Sequence, residues 1–503
     1  MALLQAKTEN GLVEGLPAGN QMVSLFKGIP FAKAPVGDLR FRAPEPAEPW
    51  EGIYPAYRFA PIAMQPRFAS EGGNTLAARE FYVVEFPRSE DCLYLNIWTP
   101  AKSAEENLPV AVYFHGGGFE TGYSYLNAYD GEGFAKRGIV FVSIAYRLNV
   151  FGFLALDELA QEDAHGSTGN YGTMDQVAGL EWVKRNIAAF GGDPEQITIF
   201  GQSAGGFSVM NLCASPLTDG LFQRAIMQSG GGLARKGALN PTMQEAKRRG
   251  QEFLKFVGAN NVAEARKLPA DFLVEKYQEF KSYIGIGIPF APAVDGYVNP
   301  MLPEEYFLQG KHTVKDTMIG STADEMRHKD AALPSSDTLL QMAKSYGSRA
   351  DEFLTAIQSE SPEKCRKHFE DPVGDGMLAA SIAWCENQNK LGRKPAFMYY
   401  FTYVPPGAEE TGAHHSVEHH YVFQTLVRSL RPYTGHDYDL SNQLADYWAN
   451  FIKTGDPNGA GKKSWEPYIK ETQKTLIIGE ACEMKKMEPN TKVGFLVDYN
   501  LKG

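Results

Sequence analysis

The sequence predicts an α/β fold in which a large, mostly parallel central sheet is flanked by helices. Three observations carry this expectation. The stretches "LPVAVYFHGG", "IVFVSIAYR" and "QITIFGQS" contain near-continuous apolar runs of strand length, as strands buried on both faces do. Helical patterns alternate with these runs between about residues 95 and 230, and such alternation builds parallel sheets through crossover units. The chain has 503 residues, 43% hydrophobic and 22% charged, which is enough to bury a large core.

Taken in order, the first 60 residues read as short strands and turns, "GLVEGL" and then "MVSLFKGIPFA". "LYLNIWTP" follows as a strand, and then come the three buried runs. The helix in "GTMDQVAGLEWVKRNIAAF" sets Met174, Val177, Leu180, Val183 and Ile187 at spacings of three and four, one apolar face. "PTMQEAKRRGQEFLKFVG" should start on Pro241 and stop at Gly258. The segment from about 240 to 390 is mainly helical and reads as an insertion, or cap, over the sheet. "TMIGST", "AFMYYFTYV" and "TLIIGE" are further strands, and the helix in "SNQLADYWANFIKTG" ends at Gly455. With no internal repeat and no low-complexity linker, residues 1–503 are expected to form a single domain.

Bulk properties exclude several function classes. The net charge of -11 disfavours nucleic acid or an anionic membrane surface as partner. No run of about 18 apolar residues is present, so no membrane span is expected. The N-terminal "MALLQAKTENGLVEG" lacks a basic segment followed by an apolar one. The five cysteines, Cys92, Cys213, Cys365, Cys385 and Cys482, are odd in number and scattered, with no C-x-x-C. Neither a disulfide framework nor a zinc knuckle fits them, and reduced thiols in a cytoplasmic protein do.

Two motifs carry chemistry. Gly201-Gln202-Ser203-Ala204-Gly205 is a G-x-S-x-G between the apolar run Ile197 to Phe200 and a helical pattern. A sharp strand-to-helix turn there lifts the Ser203 hydroxyl clear of the sheet, beside a helix N-terminus that favours developing negative charge. The strand Val110 to Phe114 runs into His115-Gly116-Gly117-Gly118. Glycines let backbone N–H groups approach a tetrahedral oxyanion, so Gly117, Gly118 and the N–H of Ala204 are candidates for an oxyanion hole. A phosphate-cradling loop would need a Lys-Ser/Thr ending or G-x-G-x-x-G, and neither is present. The stretch "TGAHHSVEHHYVF" holds four histidines. There His415, Glu418 and His419 spell H-x-x-E-H, which by spacing alone also suits a zinc peptidase.

These stretches, with "FKGIPFAKAPVGDLRFRAPEP", "SEDCLYLNIWTP", "YRLNVFGFL", "GNYGTMDQ", "RAIMQSGG" and "YWANFIKTGDPNG", span nearly the whole chain. Together they resemble the type-B carboxylesterase family, which includes the cholinesterases. The resemblance implies an α/β-hydrolase fold, a Ser-Glu-His triad in that chain order, a gorge leading to the serine, and no cofactor. It implies hydrolysis of small-molecule carboxylic esters through an acyl-enzyme on Ser203. The family's acid follows a strand in a G-x-x-x-D-E stretch, which here is "IGSTADEM" and points to Glu325 rather than Asp324. Its histidine precedes x-x-E and an aromatic run, which points to His415 rather than His414 and leaves Glu418 as a buried support. Ser229 matches a family serine near the triad, expected as a supporting hydrogen bonder. Phe119, Tyr123 and Phe290 are aromatic candidates for the gorge lining, although such residues are more often core. Extracellular members pair the cysteine equivalent to Cys92, but Cys92 is the first cysteine here. Triad and fold do not fix the leaving group, so a thioesterase, a feruloyl-type esterase or a peptidase uses the same parts. A binding protein of this fold would keep its function without Ser203.

Overall fold

The computed structural model describes the whole chain except residues 1, 68–85, 236–239, 329–333, 359–365, 367–368, 372, 409, 461–462 and 503. Its centre is an eleven-stranded sheet. In chain order the strands are β1 (Leu16–Pro17), β2 (Ser24–Pro30), β3 (Tyr94–Thr99), β4 (Leu108–Phe114), β5 (Val140–Ile144) and β6 (Gly192–Gln202). They continue as β7 (Arg224–Gln228), β8 (Asp316–Thr322), β9 (Phe397–Phe401), β10 (Lys474–Ile478) and β11 (Cys482–Lys486). The spatial order is β11-β10-β9-β8-β7-β6-β4-β5-β3-β2-β1. The strands from β10 to β5 are mutually parallel, and antiparallel pairing is confined to the two edges. A separate three-stranded sheet is formed by Gln5–Thr8, Gly11–Glu14 and Ile53–Pro55.

The apolar runs behave as their composition requires. Along β4, Val110, Val112 and Phe114 enter one core cluster while Ala111 and Tyr113 enter another on the opposite face. In β5, Val140, Val142 and Ile144 divide from Phe141 in the same way. Side chains alternate across a strand, so a run that is apolar at every position is stable only with both faces covered. Helices cover them: α1 (Tyr171–Asn186), α2 (Ala204–Cys213), α3 (Met243–Phe256), α4 (Val262–Lys267), α5 (Ala270–Ile284), α6 (Gly374–Lys390), α7 (Glu418–Val422), α8 (Gly435–Thr454) and α9 (Thr491–Lys502).

Boundaries differ from expectation where a side chain captures a backbone donor. Helix α3 begins at Met243 rather than Pro241, because the Thr242 side chain accepts from the Glu245 N–H at 3.2 Å and serves as the N-cap. The predicted stop of α8 is in place, with Gly455 at φ 77°. The stretch 240–390 contains α3, α4, α5 and α6 but is interrupted by β8, which lies inside the central sheet between β7 and β9. No helix of the described residues is long and apolar enough to cross a membrane. Cys92, Cys213 and Cys385 are free and buried, Cys482 is buried, and Cys365 lies outside the described residues.

Strand β4 has β5 on one side and β6 on the other. The chain thus reverses direction across the sheet at β4, and crevices open at the carboxyl ends of strands on either side of such a reversal. Register pairs Gly201 with Phe114, so the residues that follow β4 and β6 emerge side by side.

Candidate active site

Ser203 sits between β6 and α2 at φ 58° and ψ -127°. A non-glycine residue there costs about 1–3 kcal/mol and persists only when its surroundings dictate it. The Ser203 N–H donates to Gln228 O at 2.9 Å, and its carbonyl accepts from the Phe207 N–H at 3.0 Å. Gly205 is required for close approach, since a Cβ there would lie 2.1 Å from Phe114 O. Ala204 is the first residue of α2, so its N–H has no partner within the helix.

The glycine loop after β4 abuts this turn, because a Cβ on Gly116 would lie 3.0 Å from Ser203 Cβ. Gly117 and Gly118 adopt φ 112° and 67°, and the Gly117 carbonyl is turned into the loop, where it accepts from the N–H groups of Glu120 at 3.1 Å and Thr121 at 3.0 Å. His115 is buried and, with its pKa lowered to about 4 by burial, neutral. It stacks on Tyr146 at 4.5 Å, and the Tyr146 hydroxyl donates to its carbonyl at 2.7 Å.

Glu325 follows β8. Its Oε1 accepts from the Thr322 N–H at 2.8 Å, and its Oε2 meets Nδ1 of His415. The two loops are zipped by backbone bonds, from His415 N–H to Glu325 O at 2.9 Å and from Asp324 N–H to Ala413 O at 3.1 Å. Asp324 is spent on that zipper, accepting from the Ala413 N–H at 3.0 Å and from Arg327 at 3.1 Å. His414 turns to the His415 carbonyl at 3.0 Å and to Arg431 at 3.4 Å. Burial pulls the His415 pKa down, but the charge and hydrogen bond of Glu325, with Glu418 and Asp371 behind it, outweigh burial and leave it above 6.5.

The other members of the histidine cluster are structural. His419 is bonded at both nitrogens, to Tyr113 Oη at 2.9 Å and to Ser416 O at 3.0 Å, which leaves none for a metal. His420 Nδ1 bonds Thr425 Oγ1 at 3.0 Å. Glu418 is fully buried, with Oε1 accepting from Gln228 and Tyr399 at 3.4 Å each. Burial and the Glu325 charge push its pKa up to about 7.

Two residues depart from the sequence reading. Among the described residues the supporting hydrogen bond expected of Ser229 is absent, its Oγ being buried with no partner. Its backbone, at φ 45°, does the holding instead through an N–H bond to Gly320 O at 2.8 Å. Gln202 is the unspecified residue of G-x-S-x-G and carries no motif signal, yet its side chain touches His415. Its Nε2 lies 3.0 Å from His415 Nε2 and 3.5 Å from Nδ1. A donor aligned with the Nε2 lone pair would lie about 5 Å from Nδ1. The amide therefore rests on the ring face, and the in-plane lone pair points elsewhere. Among the described residues Ser203 Oγ itself makes no hydrogen bond, and such bonds are often loose before substrate arrives. Phe119, Tyr123 and Phe290 are all buried, and Phe290 stacks with Tyr277 and Phe280 under α5.

A strained serine, a glycine loop with inward carbonyl, and a carboxylate-oriented imidazole meet at the carboxyl ends of β4, β6 and β8. The chain is similar to known esterases over nearly its whole length. The model of the carboxylesterase family matches residues 3–496. The para-nitrobenzyl esterase of Bacillus subtilis (strain 168) is 34% identical over 493 residues, 94% of each chain. The fumonisin B1 esterase of Sphingopyxis macrogoltabida is 34% identical over 471 residues, 91% of this chain and 83% of that one. Among solved structures, a thermophilic PNB esterase superposes with a TM-score of 0.84 at 30% identity, over 98% of this chain and 99% of the other.

Proposed function

This chain belongs to the carboxylesterase family and hydrolyses carboxylic esters, and from that premise we propose that Ser203, His415 and Glu325 form its catalytic triad. Ser203 Oγ attacks the ester carbonyl while His415 Nε2 takes its proton. Glu325 holds Nδ1–H and stabilises the imidazolium without accepting the proton itself. The N–H groups of Gly117, Gly118 and Ala204 receive the oxyanion. His415 then protonates the leaving alkoxide, and water activated by the same imidazole cleaves the acyl-enzyme. Proton transfer of this kind contributes about 10²–10⁴-fold.

The observation that carries this reading is the Glu325–His415 hydrogen bond beside a serine held at φ 58° against the glycine loop. The relatives carry names as different as para-nitrobenzyl esterase and fumonisin B1 esterase. We also propose a cytoplasmic location, supported by the free buried thiols of Cys92, Cys213 and Cys385. The mechanism is tested by a serine-directed phosphonate with mass spectrometry. One covalent adduct is expected, on Ser203, with turnover abolished in step and S203A inactive. Ester turnover by an enzyme unlabelled at Ser203 would overturn it.

A further inference from the structure

The loop that carries Gly117 and Gly118 is strained and is held from outside the sheet. Phe119 and Asn149 both have positive φ, 60° and 46°, and they brace each other through an Asn149 N–H to Phe119 O bond of 2.6 Å. Asn tolerates that region, but a bulky residue such as Phe119 does not, so the surrounding contacts must dictate it there. The next residue, Glu120, ties its own N–H to Gly117 O. Its carboxylate is gripped by two residues one turn apart on α5: the Tyr277 hydroxyl donates to Oε1, and Lys281 Nζ lies 2.5 Å from Oε2. Tyr277 is buried among aromatic rings, and the Lys281 and Glu120 side chains are only 22% and 13% exposed. The same insertion reaches the loop once more, with Ile288 Cδ1 3.5 Å from where a Cβ on Gly118 would stand.

We propose that Lys281 and Tyr277 are positioning residues of the oxyanion hole, clamping Glu120 so that α5 fixes the glycine loop and Lys281 cancels a carboxylate charge that would oppose the oxyanion. The proposal rests on the reading of Gly117, Gly118 and Ala204 as the hole. Glu120 follows Gly118 by two residues, which places its carboxylate within roughly 10 Å of the hole. An uncancelled negative charge at that range, behind partly buried walls, slows oxyanion formation by on the order of tenfold. The exposed Lys276–Glu279 pair on the same helix, at 2.7 Å, supplies the contrast.

The test compares K281M, E120Q/K281M and K276M by kcat, KM and affinity for a trifluoromethyl ketone, which forms a tetrahedral adduct on the serine. K281M is expected to lose on the order of tenfold in kcat with KM held within about twofold. Ketone affinity should fall in parallel, E120Q/K281M should regain most of both, and K276M should match the parent. Loss of packing alone would not be mended by E120Q. Where K281M is too unstable to assay, Y277F keeps the ring and Lys281, removes only the hydroxyl's grip on Glu120, and should lower kcat by less than about tenfold with KM unchanged. Unchanged kcat in both variants, or no restoration by E120Q, overturns the clamp. Stoichiometric phosphonate labelling of Ser203 in every variant separates that outcome from failure of the catalytic reading, in which even the parent is unlabelled.

Discussion

At the residue scale, the chemistry turns on how His415 is held. Glu325 fixes its Nδ1 edge and Gln202 covers a face. A neutral amide there adds no charge, so the carboxylates Glu325, Glu418 and Asp371 set the balance against burial. Catalysis needs the neutral ring. With the His415 pKa raised above 6.5, activity is lost as pH falls through that higher value. The acid limb of kcat/KM is therefore expected above the ordinary histidine value. Replacing Gln202 by Glu lays a carboxylate over the ring, favours imidazolium and should move the limb up by roughly one unit or more. Glu418, with its own pKa pushed up to about 7, is only partly ionised there, so E418Q should move the limb down by less. A limb that stays put in Q202E would show that this face contact is not made in the working enzyme. Gln202 was invisible as a partner because its contact spans 213 residues of chain, and no local pattern announces such a contact.

At the scale of elements, short motifs succeed where the backbone itself is constrained. The G-x-S-x-G turn is legible because Gly205 lies where a Cβ would strike Phe114 O. The glycine loop is equally restrictive: Gly117 has φ 112°, and a Cβ there would lie 2.1 Å from Thr121 O. G117A should therefore displace the loop and remove a donor, with kcat down by about 10²–10³ and KM little changed. Stopped-flow acylation with a chromogenic ester measures this, and a loss confined to KM would contradict it. Side-chain capture is less legible, as at Thr242, whose hydroxyl starts α3 two residues after the proline that composition favoured. Ser229 shows the same limit: the family resemblance suggested a hydrogen bond, but packing leaves its hydroxyl without a partner among the described residues.

At the scale of the whole molecule, buried ion pairs lock the helices to the sheet. Arg147, just beyond β5, bonds Asp175 on α1 through Nε at 2.8 Å, Nη2 at 2.7 Å and its backbone N–H at 3.0 Å. Both side chains are almost fully buried. Removing one partner strands the other charge, so D175N is expected to cost about 3–5 kcal/mol. A denaturant titration would show it as a lower midpoint, and an unchanged midpoint would refute it. The sequence by itself determined the parallel sheet, the serine turn, the glycine loop and the class of reaction. Each of those follows from short-range constraints: apolar periodicity, forbidden backbone dihedrals and the small volume of glycine. The family resemblance already pointed to Glu325 and His415, and only the tertiary structure supplied the physical reason, with Asp324 and His414 turned to other partners. Only the tertiary structure, too, brought Lys281 to Glu120 across 161 residues. Such pairings depend on where whole strands and helices bring their ends, and side-chain direction at those ends is fixed by packing rather than by neighbours in the chain.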